Sequence, residues 1–133
     1  MSDPEAFRYF LKQLRDTNAS ICLQLPASPN DLRRQTQQLH DAQQHLEGLK
    51  NEVLKRFRGR NQGLQQASYQ TLLRLIHHTH RQTETYKMLA AEFPIDPQGS
   101  LACLEVVQRR NQRLLTHLQK LEVKLLVGYQ RPA

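Results

Sequence analysis

One feature constrains this chain most: an alternating three-four run of positions between residues 104 and 125. Leu104, Asn111, Leu118 and Leu125 occupy one seam position, and Val107, Leu114 and Leu121 occupy the other. An α-helix brings such positions onto one narrow face, whereas a strand repeats every second residue. The segment is therefore expected to be a helix with a zipper-like face. Asn111 is the polar member of the seam. A buried amide there would set register or oligomeric state at some cost in stability. Leu101, Leu115 and Leu126 widen the apolar face beyond a two-stranded seam, which suits a bundle helix touching two neighbours.

A second, thinner stripe lies earlier in the chain. Leu32, Leu39, Leu46 and Val53 are each seven apart, with Ala42 and Leu49 at the other seam position. Ser28 is a candidate N-cap for this helix, with Pro29 at the first helical position, where its missing N–H costs nothing. Proline and glycine divide the rest. The first helix opens on Ser2-Asp3-Pro4-Glu5, which fits a capping box, and carries Phe7, Phe10, Leu11, Leu14, Ile21 and Leu25. Asn18 also falls on that stripe and weakens it. Pro26 and Pro29 end it, because a residue before proline avoids the helical region. Gly59 and Gly63 mark a turn or a kink, and the turn is the expectation. A third helix shows Leu72, Leu75, Ile76, Thr79, Thr83, Tyr86, Leu89 and Phe93 on its apolar side. Residues 94–99 form a loop with two prolines and a glycine, and Ser100 is a candidate cap for the last helix.

The expected fold is all-α: an antiparallel helical bundle or coiled-coil hairpins of about four helices. The chain is read as a single all-helical domain, 1–133, with helices near 3–25, 29–58, 64–93 and 101–127. Composition agrees. Of 133 residues, 22 are Leu and 17 are Gln, with no Trp and five Gly. That balance excludes a β-sandwich, a collagen and a disulfide scaffold. Regularly spaced Leu argues against wholesale disorder. No run of about 18 apolar residues exists to span a membrane. The N-terminal residues lack the basic and apolar regions of a secretory signal. Cys22 and Cys103 are far apart and flanked by apolar residues, so both are expected to be buried thiols. The expectation is an intracellular protein, cytoplasmic or nuclear, that is not secreted and does not insert into membranes.

Charge is uneven. The formal net charge is +7. Residues 50–81 hold seven bases and one acid, and 109–133 hold six bases and one acid, so these blocks carry +6 and +5. Lys50, Lys55, Arg56, Arg58 and Arg60 form a candidate polyanion-binding cluster, able to hold phosphates by charge and counterion release. Phe57 and Tyr69 nearby could stack on bases, although cations also suit a helix C-terminus without any ligand. A second set, Arg109, Arg110, Arg113, Lys120 and Lys124, lies off the apolar seam and reads as a solvated face. His77, His78 and His80 sit together, but a closed zinc site needs about four ligands, so these read as surface histidines. No phosphate-binding glycine loop, nucleophile elbow or metalloprotease helix motif occurs. No cofactor, metal, small-molecule substrate or enzymatic activity is expected.

The thin second stripe buries little by itself, which points to an oligomer or a protein partner. The functional expectation is a non-catalytic helical protein–protein interaction module: an adaptor, a chaperone or a small subunit of a larger assembly. Its candidate interface residues are Leu104, Val107, Asn111, Leu114, Leu118, Leu121 and Leu125, opposed by Leu32, Leu39, Leu46, Leu49 and Val53. The alternative is a basic helical nucleic-acid-binding protein using the 50–60 cluster.

Overall fold

The structure is a computed structural model that describes residues 3–21, 26–57 and 63–130, with side chains described for 5–21, 26–57 and 69–124. The described residues form four helices: α1 (Asp3–Ser20), α2 (Pro29–Phe57), α3 (Gly63–Glu92) and α4 (Pro97–Gln130). Helix α1 packs on α2, α3 and α4, and α3 packs on both α2 and α4. All four contribute to one apolar core.

That core gathers Phe7, Leu11 and Leu14 from α1, Leu46 and Val53 from α2, Leu72 and Ile76 from α3, and Leu114 and Leu118 from α4. Leu11, Leu14, Leu46, Leu72 and Leu118 are completely buried. Each such side chain contributes about 1.5–3 kcal/mol over an exposed one. At one end of the core, Phe10 meets Phe57 edge-on, Phe57 stacks on Tyr69, and Phe7 tilts against Tyr69. Toward the other end, Leu39, Tyr86 and Leu104 form a second cluster, with Ile21 packed against it.

Helices α2 and α3 lie side by side, which excludes the single bent rod. Gln43 Nε2 donates to Thr83 Oγ1 at 3.0 Å and to Glu84 Oε1 at 2.6 Å, across about forty positions of sequence. Lys87 Nζ donates to Gln43 Oε1 at 3.3 Å. Thr79 and Thr83 are buried on the apolar side of α3 because each hydroxyl donates to a carbonyl of its own helix, that of Leu75 and of His80. A satisfied hydroxyl leaves a methyl to pack, so these positions behave as small apolar ones. Between α1 and α4, Arg15 Nη1 donates to Glu122 Oε2 at 2.6 Å. Both groups are partly exposed, and such pairs contribute under about 1 kcal/mol.

The helix starts follow from caps. The Asp31 N–H donates to Ser28 Oγ at 3.1 Å, and the Leu32 N–H donates to the Ser28 carbonyl, so Ser28 caps α2 ahead of Pro29 as expected. Helix α4 uses the same device at Asp96 and not at the expected Ser100. Asp96 is its N-cap and Pro97 its first residue: the Gly99 N–H donates to Asp96 Oδ1 at 3.1 Å, and the Ser100 N–H to the Asp96 carbonyl. The helix therefore starts four residues before the expected Leu101, and Ser100 is a buried member of its first turn. Helix α1 ends at Ser20, short of the expected residue 25. The Ile21 N–H donates to the Asn18 carbonyl, a tightened last turn. Ser2, Cys22, Leu25, Arg58, Gly59 and Arg60 lie outside the described residues.

Three substitutions test this account. Gly48 is exposed within α2 and an added Cβ would meet open space, so Gly48→Ala should raise stability by about 0.5–1 kcal/mol. A Cβ at Gly99 would overlap the capping Asp96 carboxylate, so Gly99→Ala should lower stability by about 1 kcal/mol instead. Asn18 is 1% exposed and its amide has no hydrogen-bond partner among the described residues, so Asn18→Leu should stabilise by about 1–2 kcal/mol. Urea unfolding followed by circular dichroism measures all three. Equal effects of the two glycine changes would contradict the assigned caps.

Candidate interaction surfaces

The two heptad stripes both face the interior of the molecule. Leu104, Val107, Leu114 and Leu118 of α4 are buried, as are Leu39, Leu46, Leu49 and Val53 of α2. Leu114 and Leu118 share the main core with Leu46, Leu49 and Val53, while Leu104 and Leu39 share the smaller cluster with Tyr86. These residues are thus enclosed by the chain's own helices. Leu32 and Leu121 are half-buried, and Leu121 packs against the core. The Leu125 side chain lies outside the described residues. Asn111 is half-buried rather than enclosed. It flanks the core instead of sitting in it, so it is not the buried amide expected from the seam. The enclosed amides are Asn18, Gln35 and Gln43.

The basic cluster near the end of α2 is divided. Lys50 and Lys55 are exposed and Arg56 is half-buried. Lys50 lines a groove of about 320 Å³ between α2 and α3, opposite His77 and His80 and next to Glu47. Phe57 and Tyr69, the candidate stacking residues, are consumed by the core. They are buried against each other and present no free ring face to a base. Arg58 and Arg60 lie outside the described residues.

Helix α4 carries a second set of positions on its outer side. Arg110, Arg113, His117, Lys120 and Lys124 repeat three and four apart, as the apolar seam does, and all are exposed. The offset between the two stripes places one inward and the other outward. Leu101, Val106 and Val123 are also exposed there, at 52%, 46% and 59%. Cys103 is exposed, contrary to the expected buried thiol. It adjoins the buried Leu104 in sequence, but one residue along a helix turns about 100° around its axis. Apolar neighbours in sequence therefore do not bury a helical side chain.

Between α3 and α4 runs a groove of about 440 Å³. Val107 and Leu114 line it, together with His78 and Arg81 from α3 and Arg110 and Arg113 from α4. Arg113 also borders an adjoining depression of about 450 Å³ with Arg109, His117 and Lys120. No carboxylate lines either hollow. Among the described residues, Arg81, Arg109, Arg110 and Arg113 form no salt bridge. The α4 cations are exposed, as a solvated face should be. The alignment with Arg81 on α3 depends on packing between two helices, which the sequence does not display.

No group of three or more metal-ligating side chains occurs among the described residues, and His77 and His78 are exposed neighbours with ring centroids 6.3 Å apart. Nor is any helix among the described residues long and apolar enough to cross a membrane. Compared with protein-family models, with curated proteins and with solved structures, the chain matches none.

The placement of the stripes yields a direct expectation. Leu118→Asp puts an unpaired charge into a fully buried position, at a cost above about 4 kcal/mol. Most domains are stable by only about 5–15 kcal/mol. The variant should therefore lose its helical circular dichroism signal and its cooperative melt at every protein concentration. A folded variant that merely sediments as a smaller species would place Leu118 in an intermolecular interface instead.

Proposed function

We propose that this chain is a non-catalytic helical interaction module, an adaptor, chaperone or small subunit of a larger assembly, built as an antiparallel up-down-up-down bundle. The supporting observation is the outer side of α4. This 34-residue helix buries one heptad stripe in the core and turns a second, cationic stripe outward, with the exposed Val106 and Val123 beside it. Apolar side chains set among cations form a surface that a protein partner can cover with both dispersion and charge pairing. The apolar seams named from sequence hold the scaffold, and the partner surface is the outward face. The antiparallel reading rests on the contact pairs: Phe57 with Tyr69 and Gln43 with Thr83 run in opposite sense along α2 and α3. Short connections favour that arrangement between sequential helices.

Binding of nucleic acid through the 50–60 cluster is the second reading, supported by the exposure of Lys50 and Lys55. One experiment separates the two. The tagged full chain is recovered from its native cells after cross-linking, with and without nuclease. A protein recovered in fixed ratio to the chain, insensitive to nuclease, is the expected result. Recovery of nucleic acid alone, with an affinity that falls steeply with salt and a slope flattened by Lys50→Ala/Lys55→Ala, would overturn it.

A further inference from the structure

We infer that the α3/α4 groove is a docking site for an acidic amphipathic helix of a partner protein; this rests on the interaction-module reading and names the chemistry of its partner. The argument begins with charge. His78 and Arg81 line the groove from α3, and Arg110 and Arg113 line it from α4, with no carboxylate among them. Like charges held on neighbouring helical positions repel. Here that repulsion is not relieved by any salt bridge to the three arginines among the described residues. An anionic occupant would relieve it, and guanidinium groups pair with carboxylates bidentately.

The shape and lining select among anions. Val107 and Leu114 floor the hollow between the basic rims but are themselves buried, so the apolar surface open to an occupant is that of the exposed Val106, four residues before Arg110, and Met88, three beyond Thr85. A helix with an apolar seam flanked by glutamates matches both, in the manner of a helix laid into a groove. A phosphodiester backbone has no use for the apolar lining. No Phe, Tyr or Trp side chain lines the groove to stack on bases. Length agrees as well. From Arg110 to Lys124 the cationic stripe of α4 extends about 21 Å at 1.5 Å per residue, about four helical turns. On α3, Arg74, His78 and Arg81 follow the same alternating spacing, and all three are exposed. The stripes continue into exposed apolar side chains, Val106 before Arg110 on α4 and Met88 beyond Thr85 on α3.

The test uses the full chain and a fluorescent helical peptide with Leu at its seam positions and Glu beside them. Two controls replace every Glu by Lys or every seam Leu by Ser, and a DNA duplex of similar length serves as a third probe. The acidic amphipathic peptide should bind at least about tenfold more tightly than either control. The variant Arg81→Glu/Arg110→Glu/Arg113→Glu should weaken that binding about tenfold or more, while its melting curve stays that of the parent because all three side chains are exposed. Equal binding of the Ser-seam peptide would reduce the site to nonspecific charge and overturn the proposal. Binding of duplex with no binding of the acidic peptide would overturn it in favour of nucleic acid. The same triple variant is then carried through the cross-linking recovery. Loss of the partner supports the groove. Retention of the partner overturns the groove alone, whereas the absence of any protein partner from the parent chain overturns the module reading itself.

Discussion

An apolar seam can be buried only once, and that constraint organises the molecule. Leu114 and Leu118 of α4 sit in the same core as Leu46, Leu49 and Val53 of α2, with α1 and α3 completing the enclosure. Once the seams are spent inside, they are no longer available to a second chain. Whatever the protein binds must then meet the outward faces of the helices. Helix α4 is where those faces carry the most character, because its buried and exposed positions both follow a three-four spacing.

Polar residues inside such a bundle must be satisfied by their own helix or by a neighbour. Thr79 and Thr83 use their own helix, while Gln43 reaches across to Thr83 and Glu84. A slip of α2 along α3 would leave the Gln43 amide buried and unpaired, at about 1–3 kcal/mol. Register specificity therefore belongs to Gln43 more than to Asn111, which keeps access to solvent. Among the described residues, Gln35 Oε1 is enclosed without a partner, and so is the whole Asn18 amide near the end of α1. Asn18 interrupts the first apolar stripe in sequence and leaves a polar defect in the interior.

Much of the fold was legible because helical periodicity and capping are local. The Ser28-Pro29 start of α2 is readable since cap, proline and carboxylate lie within four residues. The Asp96-Pro97 start of α4 has the same chemistry, but Gly99 and the two prolines give the segment the composition of a loop. The exposed Cys103 was misjudged from its neighbours in sequence, where its angle around α4 decides burial. The surfaces were less legible than the fold. Lys50 and Lys55 were visible as a cluster, but their stacking partners Phe57 and Tyr69 belong to the core. The groove cations come from two helices about thirty residues apart, and nothing in either segment alone joins them.

The sequence by itself determined that the chain is helical, where α2 begins, and which residues seek burial, because these depend on spacings within one or two turns. Tertiary structure decided the rest. It turned the zipper-like stripes toward each other within one chain, exposed Cys103, and set Arg81 of α3 across from Arg110 and Arg113 of α4. The physical reason is that a stripe states only what must leave water. The identity of what covers it, and of the charges left outside, is fixed when four helices are packed together and their remaining faces point outward.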